Sequence, residues 1–223
     1  MGEIIIDSLS KKFGKKLALD KVSLKFECGK VYGLIGKNGA GKTTLMKTIC
    51  GILDGDEGSC KLEDSAVGAL LEEPAAYEKL DAIQNMRIFM NCCSKADDKK
   101  IIDLLNDVGL YDHRKKVKDY SLGMKKRLGI AISMLNDPSI LILDEPTSGL
   151  DIDGISETRE LIRRYMLDEK NMVIISSHDT RDMVELCDEI IFIDQGKILK
   201  HVESFERDSI KLEKEYLEVI KGG

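Results

Sequence analysis

The N-terminal part of the chain alternates apolar and polar residues in the manner of β-strands. Glu3 to Leu9, Leu17 to Phe26 and Lys30 to Ile35 carry apolar and β-branched residues, and Phe13-Gly14-Lys15-Lys16 and Cys28-Gly29 interrupt them. A period of two residues broken by glycine predicts strands joined by turns. We therefore expect three strands in the first 35 residues.

After the first three strands, the chain is predicted to form one helix and two short strands before a longer stretch of helical spacing begins. A helix is predicted from Gly41 to about Cys50, the run GILDGDEGSCKLED predicts a turn into another strand, and Val67 to Leu71 reads as a short buried strand. From about Ala75 to Pro138 apolar residues recur every three or four positions, as in KKIIDLLNDVGL. This spacing predicts an inserted helical lobe.

Continuous apolar runs then return at Ile140 to Leu143, Val173 to Ile175 and Ile190 to Ile193. Such runs, separated by helical segments, are typical of parallel strands that are buried on both faces. We predict one α/β domain over 1–223, with a core formed by 1–74 and 139–223 and a helical lobe formed by 75–138. The final segment, SIKLEKEYLEVIKGG, predicts a packed helix with mixed charge and not a membrane anchor.

Composition narrows the class of protein. A chain of 223 residues can bury one core with a smaller lobe, and its net charge of -6 gives no reason to expect nucleic acid as a partner. No apolar run approaches the ~20 residues that cross a bilayer, and the start MGEIIIDSLSKKF lacks the order of a signal peptide. We therefore expect a cytosolic chain. Its six scattered cysteines form no CxxC pair, which favours reduced, mostly buried thiols over a zinc or redox site.

The run GKNGAGKT fits the pattern GxxxxGK[ST] between the strand VYGLI and a predicted helix. Glycines let the backbone wrap a polyphosphate, and the helix N-terminus favours an anion. Lys42 would reach the β- and γ-phosphates, and the Thr43 hydroxyl would bind Mg²⁺. The predicted phosphate-binding residues are Gly36, Lys37, Asn38, Gly39, Ala40, Gly41, Lys42, Thr43 and Thr44. A plain glycine-rich turn is the alternative, and the strand-loop-helix context disfavours it.

Carboxylates and a histidine follow the later buried strands. Asp144 and Glu145 end the strand in SILILDEPTSGLD, and His178 follows the strand in MVIISSHD. Since ligands bind beyond the carboxyl ends of strands in open α/β sheets, these groups should face the phosphate site. Asp144 could then hold Mg²⁺, and Glu145 could orient or deprotonate a water. Taken alone, a solvated acid pair or a surface histidine would be the simpler interpretation.

These residues resemble the nucleotide-binding subunit of ATP-binding cassette (ABC) transporters over essentially the whole chain. The specific segment is SLGMK after Tyr120, which is similar to that family's LSGGQ signature. The resemblance implies a P-loop ATPase fold with an N-terminal antiparallel β subdomain and an inserted helical subdomain. It also implies head-to-tail dimers in which Ser121 and Gly123 close over ATP held by the other subunit. By the same resemblance, Asp151 communicates across the dimer and Phe13 stacks on adenine, although Phe13 could instead be a core aromatic.

The sequence departs from the family pattern at two places. Leu122 and Met124 replace a glycine and a glutamine of the signature, which predicts a working signature with altered packing. Glu72 stands where the family has a glutamine that senses Mg²⁺ and water, a replacement that resembles the bacitracin and lantibiotic self-protection branch. We expect Glu72 to point toward Mg²⁺ and to take part in catalysis. We expect Glu73, followed by Pro74, to face solvent or a partner.

The resemblance therefore implies an ATP-hydrolysing exporter subunit that works with Mg²⁺ and a separate membrane permease. It would pair with a second copy or another cassette subunit, and it would lie on the inner face of the membrane through the permease. Non-transport cassette ATPases, such as DNA-repair, ribosome-acting or iron-sulfur assembly proteins, are a second class. Only about a hundred residues separate the two nucleotide-binding motifs, which disfavours a DNA-repair protein with a long inserted coiled coil. The chain has one cassette, which disfavours a ribosome-acting protein with two. An iron-sulfur assembly ATPase remains an alternative. A regulatory module that binds ATP without hydrolysing it is a third class, disfavoured by the joint presence of Lys42, Asp144, Glu145 and His178.

Overall fold

The computed structural model describes residues 2–63, 65–72, 76–92 and 97–222. The strands in these ranges are β1 (Glu3–Phe13), β2 (Lys16–Glu27), β3 (Val31–Ile35), β4 (Glu57–Leu62), β5 (Val67–Leu70), β6 (Ile140–Asp144), β7 (Met172–Ser176), β8 (Glu189–Asp194) and β9 (Lys197–Val202). The helices are α1 (Lys42–Ile49), α2 (Ala82–Asn91), α3 (Asp98–Asp107), α4 (Leu122–Ser133), α5 (Ile152–Tyr165), α6 (Thr180–Leu186) and α7 (Ser209–Gly222), with a short 3-10 helix at Val117–Asp119. The predicted α/β class is confirmed.

The first sheet is small and antiparallel, with β1 lying between β2 and β4. The strand predicted to end at Leu9 continues to Phe13, although the alternation fails along it. It continues because backbone pairing with β2 extends as far as Phe13 opposite Lys16. The tight turn at Gly14 therefore places Phe13 and Lys16 side by side at one end of this sheet.

The second sheet has six strands in the order β5-β6-β7-β3-β8-β9. Its first five strands are parallel, and β9 pairs antiparallel to β8 at the edge. The hydrophobic pattern did not predict β9, because KILKHV mixes polar and apolar residues at a half-covered edge. Parallel pairing brings the carboxyl ends of β6, β7 and β3 together, with Ser176 aligned to both Asp144 and Leu34.

The large sheet is covered by apolar side chains on both faces, as continuous hydrophobic runs require. In β6, Leu141 and Leu143 belong to the core that packs under the helical lobe and α5 to α7. Ile140 and Ile142 belong to a second core shared with the small sheet and α1. The sheet is therefore held from both sides, and the ends of its strands are fixed relative to one another.

Helices α2, α3 and α4 form the inserted lobe, within the predicted range 75–138. The Asp81 carboxylate accepts from the Gln84 amide while the Gln84 side chain accepts from the Asp81 amide, a capping box that starts α2. The Asp97 carboxylate caps α3 in a similar way, through the amides of Lys99 and Lys100. The boundary proposed at 74/75, and with it Glu73 and Pro74, lies outside the described residues.

Helix α7 returns to the large sheet, as the C-terminal pattern predicts. Leu212 is buried in the core, and the ring of Tyr216 lies 5.4 Å from that of Phe192 between centroids. Within the described ranges, none of the helices combines the length and the apolar character that crossing a bilayer demands.

The described cysteines carry free thiols with different degrees of exposure. Cys187 is buried, Cys50 and Cys60 are partly buried, and Cys92 is exposed, so the expectation of mostly buried thiols holds only in part. Burial raises the pKa of the Cys50 thiol to about 11 and raises that of Cys187 well above its ordinary value. These thiols are therefore protonated and unreactive at neutral pH.

Replacing Leu141 with alanine should destabilise the protein strongly. Its side chain has no solvent exposure, so the change leaves a cavity under the lobe and should cost ~2–5 kcal/mol. The same substitution at Leu167, which is 82% exposed, should change stability by less than ~0.5 kcal/mol. Urea unfolding measures both values. Equal midpoints for the two variants would contradict this assignment of the core.

Candidate functional site

The loop from Gly36 to Thr43 joins β3 to α1 and wraps tightly on neighbouring backbone. Gly41 has φ 114°, and a Cβ there would lie 2.7 Å from the Ala18 carbonyl oxygen. A Cβ on Gly36 would lie 2.3 Å from the carbonyl oxygen of Ile193. Only glycine fits at either position. The loop can thus turn its amides inward at the first turn of α1, where phosphate oxygens bind well.

A cleft opens above this loop. It is lined by Phe13, Lys16, Ala18, Lys37, Asn38, Gly39, Gly41, Lys42, Thr43, Thr44, Asp144 and Glu145. Lysines 16, 37 and 42 supply positive charge along it, and the two carboxylates lie at the end of β6. The predicted phosphate loop and the predicted carboxylates therefore share one cavity.

Phe13 lies at the rim of the cleft, with half of its surface exposed. The ammonium of Lys11 stands 5.9 Å from its ring centroid. Phe13 is absent from both buried cores, which rules out the alternative of a core aromatic. An exposed ring beside a polar cleft can stack on a planar base.

Lys42 is only 6% exposed, although it carries a positive charge. Its Nζ donates to the Gly36 carbonyl at 2.6 Å and to the Lys37 carbonyl at 3.3 Å. Among the ion pairs of the described residues, none gives Lys42 a carboxylate partner. A buried ammonium held by carbonyls alone lacks a counter-charge, which an anionic ligand in the cleft would supply.

Three oxygen-bearing side chains meet where α1 and β6 approach each other. The Thr43 hydroxyl donates to Asp144 Oδ2 at 2.6 Å, and the Ser176 hydroxyl donates to Asp144 Oδ1. A hydroxyl and a carboxylate are ligands that suit Mg²⁺, which binds through few protein groups and completes its shell with water and phosphate oxygens. No cluster of three or more His, Cys, Asp or Glu side chains able to hold a metal occurs in the described parts of the chain. Thr43 and Asp144 therefore fit a metal that bound phosphates help to hold.

Glu145 and His178 form a pair beside these groups. His178 Nδ1 lies 2.8 Å from Glu145 Oε2, and the imidazole donates if the glutamate is ionised. Glu145 has φ 51°, and its amide donates to the Ser176 hydroxyl at 3.0 Å. Asp179 follows His178 and caps α6, and its hydrogen bond with Arg181 lowers the pKa of its carboxyl. The histidine thus stands in a turn fixed by an ionised cap.

Ser121, Gly123 and Asp151 lie outside the residues that line the cleft. Ser121 and Asp151 are the N-caps of α4 and α5, and their side chains accept from the amides of Met124 and Gly154. Gly123 lies in the first turn of α4, where amides lack intrahelical acceptors. One chain therefore presents two capped helix starts apart from its own phosphate loop.

The altered signature packs closely against the turn before α5. A Cβ on Gly149 would lie 2.9 Å from a methyl of Leu122, and a Cβ on Gly123 would lie 3.2 Å from a methyl of Leu150. Leu122 thus occupies the space next to Gly149. This contact joins the signature to the turn that carries Asp151.

The structure does not place Glu72 among the residues that line the cleft. Its carboxylate bonds to Lys47 Nζ at 2.5 Å, its side chain is 66% exposed, and its backbone has φ 69°. Lys47 lies one turn beyond Thr43 on the same face of α1. Glu72 is thus linked through Lys47 to α1, the helix that also carries Thr43, and direct metal binding by Glu72 stays a prediction.

Sequence reasoning missed Ser176, Lys16 and Ala18. Ser176 ends β7, between β6 and β3, so its hydroxyl reaches both Asp144 and the Glu145 amide. The serines that follow the apolar run MVII could have marked the end of β7 as a polar site. Only the strand order shows that β7 lies between β6 and β3, which puts Ser176 beside Asp144. Lys16 and Ala18 enter the cleft because the small sheet folds over it, which no local pattern predicts.

Comparison with known proteins agrees with this geometry. A family profile described as ABC transporter matches residues 19–148. The lantibiotic transport ATP-binding protein SrtF of Streptococcus pyogenes is 43% identical over 203 residues, which cover 87% of this chain and 88% of that protein. The bacitracin transport ATP-binding protein BcrA of Enterococcus faecalis is 35% identical over 208 residues, covering 88% of this chain and 68% of that protein.

Solved structures support the fold. A dimeric ATP-binding cassette in a post-hydrolysis state, bound to ADP and Pi, superposes with a TM-score of 0.83 at 19% identity, covering 91% of this chain and 100% of that one. The predicted resemblance to the lantibiotic and bacitracin branch is confirmed by the relatives. The phosphate loop, the carboxylates after β6 and the matched profile lead to one conclusion: this chain is an ATP-binding subunit of the ABC transporter family.

Proposed function

We propose that this chain hydrolyses ATP to ADP and phosphate and thereby powers a separate membrane permease. The observation that carries the proposal is the 2.8 Å contact between Glu145 and His178 at the end of a cleft that begins at a phosphate-binding loop. A carboxylate at this position can accept a proton from an attacking water. His178 donates from Nδ1 to this carboxylate and so holds it in place.

The cleft supplies the binding part of the mechanism. Phe13 stacks on the adenine ring, while residues 36–44 surround the phosphates with amides and Lys42 meets their charge. Thr43 and Asp144 would hold Mg²⁺, which supplies charge neutralisation across the phosphates. The Ser176 hydroxyl holds the Asp144 carboxylate and the Glu145 amide in fixed positions through two hydrogen bonds. Positioning and electrostatics account for most of catalysis in this reaction class.

A second subunit would complete the site. Ser121, Gly123 and Asp151 lie at helix starts suited to anions, yet they do not line this chain's own cleft. We propose that two subunits pack head to tail, so that these residues of one close over ATP held by the other. The partner is a second copy or a paired cassette subunit. ATP then acts as part of the interface, and hydrolysis weakens it.

The permease is proposed to be a separate chain that holds this subunit on the inner face of the membrane. The helical lobe is the surface that we assign to it, because the lobe begins after Glu72. The names of SrtF and BcrA favour an antimicrobial peptide of the lantibiotic or bacitracin type as the transported substrate. An iron-sulfur assembly role would instead predict neighbouring genes for a cysteine desulfurase or a scaffold, so the adjacent reading frames discriminate the two.

Glu145→Gln should lower ATP turnover by about 100-fold or more while leaving ATP affinity nearly unchanged. Glutamine keeps the shape of the side chain but cannot accept the proton from water. Glu169→Gln, at an exposed position in the turn after α5, should behave as wild type. Steady-state phosphate release and equilibrium binding of ATP measure the two effects. An unchanged rate in Glu145→Gln would show that this glutamate is not the catalytic carboxylate.

The same variant tests the head-to-tail dimer. Because hydrolysis is blocked, Glu145→Gln with ATP and Mg²⁺ should elute as a dimer in size exclusion, and it should return to monomer without nucleotide. Adding Ser121→Asp should prevent dimer formation, because it places a negative charge opposite the γ-phosphate. A monomer in all conditions, with the permease also present, would contradict the dimer.

Glu72→Gln should leave ATP binding intact and change either turnover or its coupling to transport. Its ion pair with Lys47 is largely exposed and worth ~0–1 kcal/mol, so the fold should be unaffected. If Glu72 acts through Lys47, Lys47→Met should give the same change. Turnover and transport are measured in the assembled transporter. The role proposed for Glu72 fails if both rates equal those of wild type.

Reconstitution with the permease tests the transport proposal. The complex in lipid vesicles should show ATP turnover that rises on addition of a lantibiotic-type peptide. A complex built with Lys42→Ala should show no such rise, since the phosphate contact is lost. The proposed substrate class would be abandoned if wild type responded to no antimicrobial peptide while remaining an active ATPase.

A further inference from the structure

Lys126 links the signature helix to the turn that carries Glu145. Its Nζ donates to the Glu145 main-chain carbonyl at 2.7 Å and also donates to the carbonyl of Ser148. The Ser148 amide in turn donates to the Glu145 carbonyl at 3.3 Å, which closes this turn. One ammonium on α4 therefore spans both ends of the turn that follows β6. Neither the metal site nor the phosphate loop uses this contact.

Glu145 is a residue whose backbone needs such support. Its φ of 51° lies in the left-handed region, which a side-chain-bearing residue adopts only where surrounding contacts maintain it. Ser176 holds the amide side of Glu145, and Lys126 holds the carbonyl side. With both flanking peptide groups held, the direction of the Cα–Cβ bond is fixed. The carboxylate is thereby aimed at His178.

The position of Lys126 on α4 connects the signature at the start of that helix with the turn that carries Glu145. Lys126 lies five residues after Ser121, about 7.5 Å along the helix axis. Gly123 belongs to the same helix and packs against Leu150, beyond the turn. A change in the orientation of α4 therefore reaches the peptide of Glu145 through a direct hydrogen bond.

We propose that Lys126 is a positioning residue for hydrolysis, which couples the orientation of the signature helix to that of the Glu145 carboxylate in the same chain. This inference rests on the proposed function, in which Glu145 orients the attacking water. Lys126 touches neither nucleotide nor water in this scheme. Its removal should therefore lower kcat and leave the KM for ATP unchanged, because displacement of a reacting group affects the transition state more than ground-state binding.

The test compares Lys126→Met, Lys126→Arg and Lys100→Met in the assembled transporter. Methionine removes the donor and keeps most of the length, whereas arginine retains donors able to reach carbonyls. Lys100 is the matched control, since its Nζ pairs with Asp137 at 2.5 Å on the lobe surface, outside the signature segment. The turn should stay folded in every variant, because the Thr147 hydroxyl also anchors it to the buried Asp182.

Lys126→Met should lower kcat by ~10- to 100-fold with the KM for ATP within about twofold. Lys126→Arg should recover most of the rate, and Lys100→Met should match wild type. In a Glu145→Gln background, Lys126→Met should cause little further loss, because the group that it positions is already inactive. Hydrogen exchange at residues 145–148 should accelerate in Lys126→Met, a readout that does not depend on hydrolysis.

The results separate this inference from the function on which it rests. The proposed function is overturned if the wild-type protein has no ATP turnover, or if Glu145→Gln leaves the turnover rate unchanged. Normal turnover in Lys126→Met overturns the positioning role alone. So does a loss of equal size in Lys100→Met, or a Lys126→Met loss that is just as large when Glu145 is already glutamine. Unchanged exchange at 145–148 would show that the contact does not hold the turn.

Discussion

The Ser176 hydroxyl bonds to both of the adjacent acidic residues at the end of β6, Asp144 and Glu145. It donates to the Asp144 carboxylate and accepts from the Glu145 amide, while Thr43 binds the other oxygen of Asp144. The hydroxyl can do both because β7 lies between β6 and β3 in a parallel sheet, so three strand ends meet at one edge. The carboxylates of Asp144 and Glu145, adjacent in the chain, thereby meet different partners, Thr43 for Asp144 and His178 for Glu145. The left-handed conformation of Glu145 is the local cost of that separation.

Charge in the cleft is arranged for a polyphosphate and not for an uncharged ligand. The buried Lys42 is held by main-chain carbonyls, and Lys16 and Lys37 line the same cavity. The carboxylates gather at the opposite side, where a divalent cation would sit between them and phosphate oxygens. The protein thus supplies each part of a nucleotide-metal complex with a complementary charge. This complementarity explains how a chain with a net charge of -6 presents a strongly anion-binding site.

The helical lobe is joined to the sheet by polar contacts as well as by its apolar core. Lys126 on α4 bonds to the Glu145 turn, and Leu122 fills the space beside Gly149. The Thr147 hydroxyl anchors the same turn to Asp182, which also accepts from Arg159. The turn after β6 therefore receives contacts from α4 and α6. Leu122, which replaces the usual signature glycine, keeps 46% of its surface exposed beside this turn.

The sequence by itself determined the α/β class, the phosphate loop and the residue types that follow the buried strands. It could do so because periodicity and glycine spacing are local properties of the chain. Only the tertiary structure decided which distant groups meet: Ser176 between two acids, Lys16 in the cleft with Lys42, and Lys126 on the carbonyl of Glu145. It also placed the Glu72 carboxylate against the Lys47 ammonium. Strand order and the docking of the lobe depend on contacts between segments far apart in the chain, and no local pattern records those contacts.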